Sequence, residues 1–185
     1  MRDVQVPDGT ESPLLGAVRR VEDDDRLDAV TAPLRRAAGS LARGRARAVL
    51  GGAWLGHALH PLLTDFPLGC WIGAGLLDVL GGRGSQPAAR RLVGLGVLFT
   101  IPTAAAGLSD WCATEDARVR RVGGVHALIN GAVAASYLWS WRSRRRGRRS
   151  AAAISSLVGG SLAWISGYLG GHLSLRLGAG TGEPA

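Results

Sequence analysis

The chain has 185 residues, 46% of them hydrophobic, and carries a formal charge of +8 at neutral pH. Its mean hydropathy is nevertheless positive, a combination that argues against an ordinary soluble domain and fits a chain whose charges sit in blocks between apolar segments. Every cation is arginine, and the arginines flank the apolar segments instead of lining one recognition helix, which argues against nucleic acid as a partner.

The opening, "MRDVQVPDGTESP", is polar and is expected to be disordered. It lacks the charged-then-apolar pattern of a signal peptide, so the first apolar span is the expected insertion signal. From Leu27 to Leu50, arginine alternates with Ala, Leu and Val. This pattern fits either an amphipathic helix on the membrane surface or a solvated basic linker. Residues 1–50 therefore read as a polar N-terminal segment.

Four apolar spans follow: Pro61 to Gly82, Leu92 to Ser109, Val122 to Trp141 and Ser150 to Leu175. Each is near the ~20 residues that cross a ~30 Å hydrocarbon layer, and they lack the polar stripe of a soluble bundle helix. The expected fold is all-α: a four-transmembrane-helix bundle over residues 51–178, with a short tail at 179–185. The lipid bilayer is the first expected partner, and the location is a multi-pass position in the cell membrane. Gly69 with Gly73, and Gly167 with Gly171, have the four-residue spacing that lets helices approach in lipid. Pro102 removes a backbone donor and predicts a kink in the second span.

Four spans with short loops must run up, down, up, down, so both termini fall on one side, here called side A. The stretch "WLGHALHPLLTDFP" puts His57 and His60 at that side, three residues apart and close to one helical face. Pro61 suits a first helical turn, where its missing N–H costs nothing. Asp65 lies one turn deeper. The second span ends at side A with Asp110, the third begins there with His126, and the fourth ends there with His172. The topology therefore gathers all four histidines at one level. His126 and Asn130 are four apart and share a face, the arrangement of a metal ligand with a supporting carboxamide. The alternative use is interfacial, with imidazoles resting among headgroups; polar groups inside spans nonetheless tend to be functional.

Asp78 lies toward the opposite side, B, where Arg83, Arg90 and Arg91 are its expected partners. Cys70 and Cys112 match no zinc or redox motif, and their different depths argue against a disulfide. No Ser-His-Asp, Walker or dinucleotide fingerprint is present, so no catalytic residue is assigned. Arginines at Arg83, Arg90, Arg91 and the run from Arg142 to Arg149 favour B in the cytoplasm. Arg35 and Arg36 nearly cancel that excess.

The stretch "LGHALHPLLTDFPLGCWIGAGLLDVLGG" resembles the opening helix of the bacterial membrane family known as domain of unknown function 2231. "AAGLSDW", "HALINGAV" and "GYLGGHLSLRLGAG" resemble its second-helix exit, third-helix entry and Gly-Gly-His ending. The likeness runs from about Trp54 to Gly180. It implies a four-helix integral membrane protein without an agreed reaction. Some members are similar to proteins fused to, or paired with, Rieske-type iron–sulfur domains. This chain lacks the Cys and His pattern of such a centre, so the centre would belong to an iron–sulfur redox partner.

Three functions compete. The chain is a structural or anchoring module with a histidine cluster at one membrane face. Or it is a redox module binding b-type haem through two of His57, His60, His126 and His172. Or it binds a transition metal through His60, His126 and His172 with Asp65 or Asp110, supported by Asn130. A second copy of the chain is a further candidate partner.

Overall fold

The computed structural model describes residues 12–180. Most of the polar opening, for which disorder was expected, and the last residues of the short tail lie outside those residues.

Four long helices dominate: α4 (Leu59–Leu80), α5 (Gln86–Ala113), α6 (Ala117–Arg145) and α7 (Arg149–Leu175). They coincide with the four apolar segments and extend past them into polar sequence. Pro61 sits in the first turn of α4, as its fixed φ favours. Among the described residues there is no strand. Three of these helices, α4, α5 and α7, are long and apolar enough to cross a membrane. The apolar stretch of α6 contains His126, Asn130, Ser136 and Ser140, and arginines cluster at both helix ends, which lowers its hydropathy.

Neighbours in sequence pack side by side: α4 on α5, α5 on α6 and α6 on α7. Trp71, Ala74, Ala89, Val93, Val133 and Tyr137 form the core between them. Large apolar side chains face outward on every long helix, among them Ile72, Leu98, Leu128, Trp139, Leu157 and Trp164. So much outward apolar surface is what a lipid solvent stabilises and water does not.

The segment before the long helices is folded. It forms α1 (Pro13–Asp23), α2 (Arg26–Ala38), a 3-10 turn (Gly39–Ala42) and α3 (Gly44–Leu50). The stretch from Leu27 to Leu50 is thus helical, and it is docked on the core. Val18 packs against Val122 and Leu169. Arg35 donates to the carbonyls of Cys112 and Thr114 at 3.3 and 2.9 Å, meeting acceptors that the end of α5 leaves open. Arg47 of α3 pairs with Asp110 of α5. Both cysteines are free thiols.

Two details show how α4 and α5 fit. Pro67 lies inside α4 and deprives the Leu63 carbonyl of its helical donor. Thr103 of α5 supplies a replacement, with its hydroxyl 3.1 Å from that oxygen. Glycines carry the close packing, but not the expected pairs. A Cβ at Gly69, Gly167 or Gly171 would meet nothing within 4 Å. At Gly96 it would lie 2.3 Å from the Trp71 indole nitrogen, and at Gly159 it would lie 2.9 Å from the Tyr137 ring. These glycines are seats for rings, so the helix spacing is set by aromatic thickness.

Candidate functional site

His60 enters the core at the start of α4. Its Nδ1 lies 2.9 Å from the Thr103 carbonyl. A carbonyl only accepts, so Nδ1 carries a proton and donates it. The ring rests on Gly107, where a Cβ would stand 2.8 Å from it. Among the described residues Nε2 has no hydrogen-bond partner.

His126 of α6 repeats the arrangement on α7. Its Nδ1 donates to the Ser166 carbonyl at 2.9 Å, and its ring rests on Gly170, with a Cβ there 3.2 Å away. Here Nε2 is engaged: it accepts from the Asn130 amide at 2.9 Å. The Ser166 hydroxyl donates to Asn130 Oδ1 at 3.0 Å and lies 2.9 Å from His126 Nδ1. The three side chains close a cycle of hydrogen bonds between α6 and α7. Asn130 is therefore the partner of His126 that its four-residue spacing suggested.

The two imidazoles face each other, ring centroids 6.4 Å apart and planes perpendicular. The other expected members of the site go elsewhere. His172 is buried and its Nε2 lies 2.6 Å from Glu22 Oε1, itself buried in α1. Asp110 is held by Arg47. His57 and Asp65 are exposed, His57 reaching only the adjacent Ala58 carbonyl at 3.4 Å. Among the described residues no three His, Cys, Asp or Glu side chains form a group that could hold a metal. The expected convergence of His60, His126 and His172 with carboxylates reduces to one pair, because Glu22 and Arg47 offer His172 and Asp110 nearer charged partners. Asp78 also differs from expectation. Its partner is Arg144 of α6, with Nη1 donating to Oδ1 at 2.8 Å and Nη2 to Oδ2, and Gln86 adds a bond at 3.2 Å.

These contacts follow a rule. Trp71 stands eleven residues after His60, and Tyr137 stands eleven after His126; their rings stack at 3.9 Å and 6°. Asp78 stands eighteen after His60, and Arg144 eighteen after His126; they form the ion pair. On the second helix of each hairpin, Gly96, Thr103 and Gly107 recur as Gly159, Ser166 and Gly170 at the same spacings. Buried Pro67, Trp71 and Ala74 correspond to buried Val133, Tyr137 and Ser140. The hairpins α4–α5 and α6–α7 are thus alike in spacing, and equivalent residues of α4 and α6 meet each other. Sequence reasoning missed Thr103, Ser166, Gly107, Gly170, Glu22 and Arg144. The signal for all but Glu22 was the equal spacing of the two hairpins.

The family model described as a predicted membrane protein, DUF2231, matches residues 56–183, more than half of the chain. No curated protein and no solved structure matches the chain.

Proposed function

The chain belongs to the DUF2231 family of predicted membrane proteins, and from that premise we propose that it is a four-span structural or anchoring module of the cell membrane. α6 supplies the fourth span. It joins two helices that qualify as spans, α5 and α7, through short connections, and its stretch from Val122 to Trp141 is uncharged. Leu128 and Trp139 turn its surface to lipid. The observation that carries the structural reading is the closed cycle of His126, Ser166 and Asn130. Polar groups in a low-dielectric layer are spent on holding helices together. His172 with Glu22, and Asp78 with Arg144, serve the same end.

A redox or metal-binding role is favoured by one observation: among the described residues His60 Nε2 has no hydrogen-bond partner, and its ring stands across from His126. Both Nδ1 atoms are tied to carbonyls, which directs Nε2 toward a ligand. His60 and His126 would hold such a group through Nε2, imidazole being a ligand for haem iron and copper; His126 would have to release Asn130 to take part. Zinc or non-haem iron would need donors that this pair lacks. Protein purified in detergent from haem-replete cells distinguishes the readings. The structural module shows no Soret band and no stoichiometric metal, and His60→Ala changes stability alone. A Soret band, or one metal per chain, that disappears in His60→Ala sinks it in favour of the redox reading.

A further inference from the structure

Beneath α2, at the side-A end of α5, two adjoining hollows of about 420 and 310 Å³ share Arg35 and Arg36 in their walls. Arg43 completes the first and Arg120 the second. Their charges are unequally used. Arg35 is bound to the carbonyls of Cys112 and Thr114, and so covers the helix end that would otherwise repel an anion. Arg120 donates to the Glu115 carbonyl and lies 3.8 Å from Asp28, which Arg121 also holds. Arg36 and Arg43 are exposed and have no ion pair among the described residues. Asp28 is the single acid in either lining.

Depth gives the hollows their meaning. Cys112 and Ala113 in the wall are the last turn of a helix that qualifies as a span, so the cavity lies where a bilayer keeps its phosphates. Val30, Val49 and Trp54, on or beside the same short helices, are exposed, as apolar residues are when a helix rests in the headgroup boundary. A cavity at that level in which Arg36 and Arg43 lack counter-charges among the described residues suits a phosphate, which guanidinium binds in bidentate fashion.

We propose that the paired hollow binds the phosphate of an anionic lipid headgroup, with Arg36 and Arg43 as the contacting cations. The site deepens the membrane-module reading and rests on α5 being a span. It would fix the chain to one leaflet by headgroup chemistry.

The test uses the full chain in a zwitterionic detergent, with phosphatidylglycerol or phosphatidylcholine added and bound lipid measured by native mass spectrometry. The wild type retains phosphatidylglycerol in preference. Arg36→Gln/Arg43→Gln lowers that preference roughly 30-fold, about fivefold for each arginine near an anionic surface. Arg148→Gln/Arg149→Gln, exposed arginines at the opposite end of the bundle where α7 begins, leaves it unchanged, and millimolar inorganic phosphate does not displace the lipid. An unchanged preference in the first variant, or an equal loss in the second, overturns the site. Displacement by inorganic phosphate reassigns it to a soluble phosphate. Failure of the membrane reading itself would appear separately, as a chain that leaves the membrane fraction without detergent.

Discussion

Asp78 and Arg144 form a two-pronged ion pair across 66 residues of sequence, each placed eighteen residues after a core histidine. Arg144 is nearly buried, with its side chain 5% exposed. Asp78→Asn strands that charge and should destabilise the protein by about 3 kcal/mol. Because the two positions are equivalent in the two hairpins, Asp78→Arg combined with Arg144→Asp should regain most of the loss. Gln86 and Ser140, which bond the native pair, would have to reorient around the swapped charges, and this keeps the recovery incomplete. Thermal unfolding of Asp78→Asn, of the double variant and of its two single changes in detergent checks it. A double variant as weak as the sum of its single changes would refute the equivalence of the two positions.

The carbonyl contacts of His60 and His126 fix their chemistry. Both rings should carry a proton on Nδ1, because the Thr103 and Ser166 carbonyls only accept, and Nε2 of His126 should be bare because it accepts from Asn130. Nitrogen-15 NMR of labelled histidines reports the tautomer directly. Asn130→Ala should lower stability by about 1 kcal/mol, as interhelical side-chain bonds in membranes do. A proton found on Nε2 of His126 would break the cycle on which the structural role depends.

The four long helices were legible because the length of an uncharged apolar run is a local property. Their ends were less so: α5 begins at Gln86 and α6 runs from Ala117 to Arg145, since a helix continues past hydrocarbon into polar sequence at no cost. The histidine level followed from topology, but the pairing did not. His172 meets Glu22 across 150 residues, and no spacing announces such a contact. Glycine identity misled for a related reason. Four-residue spacing marked Gly69 and Gly73, whereas packing depends on which ring the neighbouring helix presents. The match between His60, Trp71, Asp78 and His126, Tyr137, Arg144 was in the sequence throughout, hidden because Asp and Arg are equivalent only as partners.

Glycine seats give a direct comparison. Gly96→Ala would drive a methyl into the Trp71 indole, which is buried and stacked on Tyr137. The expected cost is about 1–3 kcal/mol. Gly167→Ala meets nothing within 4 Å and should be neutral or slightly stabilising, since alanine is the better helix former. Equal stabilities for the two variants, read from detergent melts, would contradict the ring-seat account.

Glu22 and His172 hold α1 against the long helices, aided by Arg121, which donates to the Glu22 carbonyl at 2.9 Å. Glu22→Ala should free α1 while leaving α4 to α7 assembled. Trypsin would then cut after Arg19 or Arg20 several times faster, with the remainder of the chain protected. Unchanged cleavage would show that the Val18 contacts hold α1 without the ion pair.

Asp116 caps α6, its carboxylate accepting from the backbone N–H groups of Arg118 and Val119 at 2.7 and 3.3 Å. Burial works against its ionisation, but those two bonds and the Arg118 guanidinium prevail, and its pKa lies below the usual aspartate range. A lowered folded pKa means that the stabilisation is complete above the unfolded value of about 4 and fades as pH falls through the folded one. At neutral pH Asp116→Ala should therefore cost about 1 kcal/mol, a penalty that shrinks in acid. Asp116→Asn keeps an accepting oxygen and should retain most of the cap while losing its share of the pH dependence. Melting temperatures of the three proteins across the acid range give the answer, and an alanine penalty that grew as pH fell would show that the capping carboxylate has the opposite linkage.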